Sequence, residues 1–393
     1  MSLSLRTASR KPMTVRVTSR RRICFSLPFA MQLLDSGGGY FGGAEVRGTI
    51  FLRGIAKDSR LDVHVVVIGP AGPPIVRADG ITVHFRPGVP FDEGHQDDAV
   101  TSIWAAIDAE IYVAFGANEA TSELARFCSA HGSRLLLSLA SEASFDPYVY
   151  ERSTEPDHYG MPGHYIWYGM QHAHDVIVQT ERQRALLRTH LSRESTLIRN
   201  PAPASVRSPA RTAPSHDGRL LWIGRIDPNK RHDAALALAG LLPQRPMTMV
   251  CNNIHSVGAP LLAQVQRVLP NLTLLDHVPL SQIDALFREA DVLVNTSIVE
   301  GFPNTFLQAG MHGIPVVSMS VDPDGMLAVH GCGRVSDGTC AGMSMTIEAL
   351  LQDRDAYADC AAASARWVHE RHGAAERIAE FSVVLYRALS AHR

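Results

Sequence analysis

Two stretches in the second half of the chain hold residue types that could manage a phosphorylated ligand. The first is Leu220-Leu221-Trp222-Ile223-Gly224-Arg225-Ile226-Asp227-Pro228-Asn229-Lys230, a buried-strand pattern running into a turn with two cations. Gly224 is expected to end the strand where a Cβ would hinder close approach, and Pro228 to help stiffen the turn. Arg225 offers a planar fork and Lys230 a point charge, so together they suit a diphosphate. The chain has only three lysines, Lys11, Lys57 and Lys230. A lysine at this turn, in a protein that otherwise uses arginine, argues for a compact cation; an ordinary solvated turn is the competing reading.

The second stretch is Ser297-Ile298-Val299-Glu300-Gly301-Phe302-Pro303-Asn304-Thr305-Phe306-Leu307-Gln308-Ala309-Gly310, after a strand pattern at 292–295. Gly301 permits tight backbone geometry and Pro303 suits the first turn of a helix that also takes in Thr305. The N–H groups of Gly301, Phe302 and Asn304 are expected to face a ligand with the positive end of the helix dipole behind them. Glu300 is placed to accept hydrogen bonds from sugar hydroxyls, and Gln308 lies further along the helix toward a ribose. A plain surface acid is the alternative for Glu300. In the first half, Gly37-Gly38-Gly39-Tyr40-Phe41-Gly42-Gly43-Ala44-Glu45 forms a glycine-rich strand-to-helix turn of the kind that cradles phosphate. Its spacing is not that of a dinucleotide fingerprint.

These segments need a scaffold, and the patterning supplies one. Short apolar runs alternate with amphipathic stretches, which predicts an α/β protein with parallel strands. Strands are expected at 22–26, 61–68, 81–85, 111–114, 134–139 and 175–179, then at 220–223, 247–251, 272–275, 292–295 and 315–319. Helices are expected at 44–55, 119–129, 163–172 and 181–190. The Pro-rich, aperiodic stretch 200–218 reads as a linker. The organisation that follows is a basic flexible head at 1–21, a Rossmann-like domain at 22–199, the linker, a second Rossmann-like domain at 219–373 and a terminal helix at 374–393. That helix, with Ile378, Phe381, Leu385 and Leu389 on one face, is expected to cross back to the first domain. Two doubly wound domains would bind ligands at the carboxyl ends of their strands.

Composition narrows the classes. Of 393 residues, 46% are apolar and 19% charged, which excludes a disordered chain, and a formal net charge of −2 gives no reason to expect nucleic acid as partner. The first 34 residues are basic, with Arg6, Arg10, Lys11, Arg16, Arg20, Arg21 and Arg22 and no acid before Asp35. This head reads as a frayed tail, a transit peptide or a membrane-surface tether. No apolar run is long enough to span a bilayer. Six cysteines without a CxxC pair fit free thiols in a reducing compartment, so the expected location is cytoplasmic, and the tether reading of the basic head adds peripheral contact at the inner face of the membrane. His172 and His174 do not form a ligand set, and no metal site is expected.

The Gly224-to-Lys230 turn followed by EGFPNTFLQAGMHGIPVVS resembles the donor site of the retaining GT-B glycosyltransferases of family 4, the glycosyl transferases group 1. That family carries a Gly-Arg…Lys turn for pyrophosphate and a Glu-x7-Glu motif for sugar and ribose. The resemblance implies that Arg225 and Lys230 hold the diphosphate and that Glu300 contacts the transferred sugar. Gln308 stands in place of the second glutamate, an amide without the carboxylate's charge. A GGAE loop occupies the position of Gly42, Gly43 and Glu45 in the family, so it is expected to face donor phosphate and acceptor. Glu142 and Asp146, after the strand at 134–139, are candidates for acceptor hydroxyls. The family needs no metal here, and its loop corresponding to Asp322-Pro323-Asp324 is not a metal site. The implied activity is metal-independent transfer of a sugar from a nucleotide-diphosphate donor to a glycan, glycolipid or lipid-linked acceptor, with retention and no cofactor. A non-catalytic nucleotide-binding protein of this fold and an NAD(P)-dependent dehydrogenase are the alternatives.

Overall fold

Runs such as Ile111-Tyr112-Val113-Ala114-Phe115, apolar on every residue, can only be stable where both faces of a sheet are covered. The computed structural model, which describes residues 20–35, 41–70, 72–87, 98–156, 161–202, 208–252, 265, 267–276 and 278–392, builds two such sheets. The basic residues before Arg20 and the glycines at 37–39 lie outside the described residues.

The first sheet contains β1 (Arg21–Ser26), β2 (Leu61–Ile68), β3 (Ile75–Val76), β4 (Ile81–Arg86), β5 (Ile111–Phe115), β6 (Arg134–Ser138), β7 (Asp175–Val178) and β8 (Thr196–Leu197). Their order is β3-β4-β2-β1-β5-β6-β7-β8, parallel except for the β3–β4 pair. The register sets Ile23 of β1 between Val63 of β2 and Ile111 of β5. Its helices are α1 (Met31–Leu34), α2 (Gly43–Ile55), α3 (Asp98–Ile107), α4 (Glu119–His131), α5 (Pro147–Tyr150), α6 (Gly163–His172) and α7 (Glu181–Leu191). The second sheet runs β11-β10-β9-β12-β13-β14, all parallel. Its strands are β9 (Leu220–Gly224), β10 (Met247–Cys251), β11 (Leu272–Leu275), β12 (Val292–Asn295), β13 (Val316–Ser318) and β14 (Gly333–Val335). Around it lie α8 (His232–Leu241), α9 (Leu280–Glu289), α10 (Asn304–Met311), α11 (Cys340–Gln352) and α12 (Arg354–Arg371).

The last helix, α13 (Ala374–Ala391), returns to the first sheet, as its apolar face predicts. Phe381, Val384, Leu385, Ala388 and Leu389 join Ile23, Phe25, Phe51 and Phe115 in one core. The Phe51 and Phe381 rings stack with centroids 4.6 Å apart. Gly54 allows the close crossing, because a Cβ there would sit 2.7 Å from Ile378.

β1 begins at Arg21, one residue before the strand expected at 22–26. Arg21 and Arg22 belong to β1, where Arg21 pairs with Glu110 and Arg22 donates to the Ile107 carbonyl at 2.7 Å. The stretch after residue 207 is likewise fastened to the second domain. Buried Asp291 accepts from Arg211 Nη1 (2.7 Å), the Ser215 N–H (2.9 Å) and the Arg219 N–H (2.7 Å). Among the described residues no helix is long and apolar enough to cross a membrane. His174 accepts from the Leu135 N–H (3.0 Å) and His172 stacks on Tyr168, so both histidines have structural partners.

Candidate active site

β9 and β12 are neighbours in the sheet, so the turns at their carboxyl ends are brought together. The first is held by its own side chains. Asp227 Oδ1 accepts from the Lys230 N–H at 2.8 Å, and Arg231 closes the turn in the left-handed region, φ 48°. Asn229 then stitches this turn to the second. Its Nδ2 donates to the Val299 carbonyl (3.0 Å), its Oδ1 accepts from the Val299 N–H (3.0 Å), and its carbonyl accepts from the Ile298 N–H (2.9 Å). Beneath it, Thr296 Oγ1 lies within hydrogen-bonding distance of the Lys230 carbonyl and accepts from Trp222 Nε1. Side chains that satisfy backbone groups on both loops leave each little freedom to move alone.

The product of this stitching is an ion pair between Lys230 Nζ and Glu300 Oε1, both partly buried. The cationic turn and the carboxylate before α10 thus converge on one spot. Arg225 is on the same turn but more exposed; its Nη2 lies 3.3 Å from Asp227 Oδ2 and it does not share the Glu300 contact. Gly224 is buried at the end of β9, but the atom a Cβ would meet is Trp222 Cη2, at 2.8 Å. Its smallness therefore serves packing against the indole.

α10 begins one residue later than expected. Pro303 is the N-cap and Asn304 the first helical residue, so the N–H groups of Gly301 and Phe302 precede the helix. Phe302 and Pro303 are buried and Thr305 is half-buried in the first turn. Gln308 is 9% exposed within the helix. α10 packs closely on α12 at Gly310, where a Cβ would meet Val368 Cγ2 at 2.4 Å.

The first domain closes directly onto this helix start. A Cβ at Gly301 would fall 2.4 Å from the Ala140 carbonyl oxygen and 2.3 Å from Gln179 Oε1, so only glycine fits this seam. The Glu142 N–H donates to the Glu300 carbonyl (3.2 Å), and Asn304 Nδ2 donates to the Gly43 carbonyl (2.9 Å). Gly42 is the N-cap of α2, and its N–H donates to Glu45 Oε2 at 2.9 Å. The start of α2 therefore lies against the start of α10, which brings the positive ends of two helix dipoles to one seam. Glu45 serves as the cap of α2.

Of the two acceptor candidates, Glu142 accepts from Arg182 Nε at 2.7 Å. Burial lifts its carboxyl above the ordinary glutamate range, while Arg182 pulls the other way. Asp146 is exposed at the N-cap of α5. The Asp322-Pro323-Asp324 loop has structural partners. Asp322 accepts from the Leu327 N–H (2.7 Å), and Asp324 accepts from the Glu181 N–H (2.9 Å) at the start of α7 and from Arg199 Nη2 (3.2 Å). Asp324 thus fastens the second domain to the first.

Arg47 was not singled out by sequence. It is 1% exposed and donates to Ser138 Oγ (2.6 Å) and to the carbonyls of Leu139 (3.0 Å) and Ile198 (3.1 Å). Burial pushes its guanidinium down to about 9. It anchors the strand ends that lead to Ala140 and Asn200, both against the α10 start. The signal that could have found it is its place one turn before the apolar run Ile50-Phe51-Leu52, on the face that also carries Phe51.

Two parallel-sheet domains whose carboxyl-end loops meet, with the last helix returning to the first, define the GT-B fold. The structure superposes on the sucrose-phosphate synthase of Thermosynechococcus elongatus with a TM-score of 0.72 at 15% identity, over 95% of this chain and 100% of that one. It superposes on the pneumococcal O-GlcNAc transferase GtfA, solved with UDP and GlcNAc, with a TM-score of 0.55 at 16% identity, over 80% of this chain and 69% of that one. In sequence, residues 217–353 match the family model described as Glycosyl transferases group 1, a segment that contains Arg225, Lys230 and Glu300. The glycogen synthase of Mycobacterium tuberculosis is 30% identical over 171 residues, 41% of this chain and 40% of its own. The match thus spans about two fifths of that curated relative.

Proposed function

We propose that this protein is a glycosyltransferase that moves a sugar from a nucleotide-diphosphate sugar to a hydroxyl of a glycan or glycolipid, with retention of configuration and no cofactor or required metal. The observation that carries this reading is the Lys230–Glu300 pair where two strand-end loops meet just before the start of α10. The group 1 match over the same segment and the sugar-transferring relatives support it.

In this reading the diphosphate takes Lys230 from Glu300, and Arg225 swings from Asp227 to the same anion. Glu300, released, accepts from hydroxyls of the transferred sugar. The bond from the anomeric carbon to the diphosphate oxygen then breaks through an oxocarbenium-like state, the acceptor oxygen bonds to that carbon, and its proton passes to the departing diphosphate. The two cations and the helix ends stabilise the charge that grows on the leaving group. Closure of the glycine-lined seam keeps water from competing with the acceptor. The carboxylates of Asp322 and Asp324, occupied by backbone and arginine donors, support a diphosphate held by protein cations.

A panel of nucleotide-diphosphate sugars, scored for nucleotide release and for a rise in melting temperature, tests this reading, with NAD(P) as the rival ligand. One productive donor is expected, and nuclear magnetic resonance of the product should show an unchanged anomeric configuration. Nucleotide binding without turnover, or stabilisation by NAD(P) alone, overturns it.

A further inference from the structure

The two backbone passages between the domains meet at Asn200 and His372. Asn200 is 2% exposed and His372 fully buried. His372 Nδ1 lies 2.7 Å from the Asn200 carbonyl, and the Ala202 N–H donates to the His372 carbonyl at 2.7 Å. A carbonyl can only accept, so Nδ1 carries the hydrogen. Burial pushes the imidazole down to about 3, which keeps it neutral.

On its other side Asn200 reaches the start of α10. Its Nδ2 lies 3.1 Å from the Phe302 carbonyl and 3.0 Å from Asn304 Oδ1, and the His372 and Phe302 ring centroids are 4.7 Å apart. Asn304 Nδ2 in turn donates to the Gly43 carbonyl. Both ends of this relay are carbonyls, which fixes the orientation of each amide between them. Phe302 requires Asn200 to present its NH2 group, Asn200 then requires Asn304 to present its oxygen, and the remaining NH2 of Asn304 faces Gly43. A continuous path therefore runs from the hinge to both helix starts at the cleft.

We propose that Asn200 and His372 are positioning residues for glycosyl transfer, holding the start of α10, and Glu300 before it, in register with α2 in the closed molecule. The proposal rests on the transferase reading above. It assigns neither residue a contact with substrate. Loss of the relay should leave the diphosphate cations intact while the reacting groups lose alignment and water gains access.

Asn200→Asp keeps the size but turns an oxygen toward two acceptors. It should lower kcat by about 10- to 100-fold, hold the affinity for the free nucleotide diphosphate within about threefold, and raise donor hydrolysis relative to transfer. Asn304→Ala should do the same, and the double variant should be no slower than the worse single one. His372→Ala should follow, whereas His372→Asn, which keeps a donor near Nδ1, should recover most of the rate. Additive losses, a change confined to KM, or equal failure of both His372 variants would overturn the proposal. A second measurement is independent of turnover: spin labels at Val76→Cys and Met345→Cys, exposed positions in the two domains, with Cys340→Ser. The interdomain distance distribution should broaden in Asn200→Asp and in Asn304→Ala, and unchanged distributions would also overturn it. Should no donor turn over, the transferase reading falls while the distances still decide the hinge.

Discussion

The two domains contribute to the cleft in different ways. At the carboxyl end of the second sheet, side chains do the arranging: Asn229 and Thr296 lock two turns together, and Lys230 and Glu300 meet in the result. At the facing end of the first sheet, the contribution is mostly backbone. Gly43 offers a carbonyl, Ala140 presses on Gly301, and the charged groups Glu45, Glu142 and Arg47 are engaged with their own domain. A site built from side chains at fixed spacing leaves a mark in sequence. A surface built from backbone shape leaves almost none.

This contrast can be broken by substitution, beginning with the second domain. Lys230→Ala and Glu300→Ala should each fold normally and lose about 10²- to 10³-fold in transfer rate; near wild-type turnover in either would remove the donor site from this loop pair. Asn229→Ala deletes both reciprocal bonds to Val299. It should cost about 1–3 kcal/mol of stability in chemical denaturation, and it should weaken nucleotide affinity as the turns separate.

Smaller effects probe the seam and the first domain. Burial pushes the His372 imidazole down to about 3 in the folded protein, below the roughly 6.5 of an unfolded histidine. The folded state therefore binds fewer protons, and its full contribution is present above pH 6.5. It should be lost progressively as the pH falls from about 6.5 toward 3. His84 is depressed to about 4 and adds to the same window, so the difference between wild type and His372→Asn is the quantity to measure. Last, Glu142→Gln removes one partner of a pair whose arginine is largely exposed. It should change stability by less than about 1 kcal/mol and nucleotide affinity hardly at all. A large loss of transfer at constant donor affinity would instead restore Glu142 as an acceptor contact and narrow the difference between the domains.

Much of the scaffold was legible because buried parallel strands announce themselves. The run at 61–68 matches β2 to the residue. The two-residue β3 and β8 were missed because so short a pairing has no period to read. Within the donor turn the cations drew attention, yet Asn229, in the same seven residues, does the joining. Its partner Val299 is 70 residues away, and an amide's role depends on what it faces. Asn200 looked like the entry to a linker for the same reason, since Phe302 lies 102 residues on. Pro303 was placed inside the helix, where its ring is tolerated, but it takes the capping position just before.

The return of α13 to the first domain has a consequence for dissection. A fragment cut within 203–217 would leave Phe25, Phe51 and Phe115 without Phe381, baring a sticky aromatic face. The backbone at Leu389, however, already accepts a 3.0 Å bond from Arg21. Joining residue 389 to residue 21 through a short linker and opening the chain within 203–217 would make each lobe continuous in sequence.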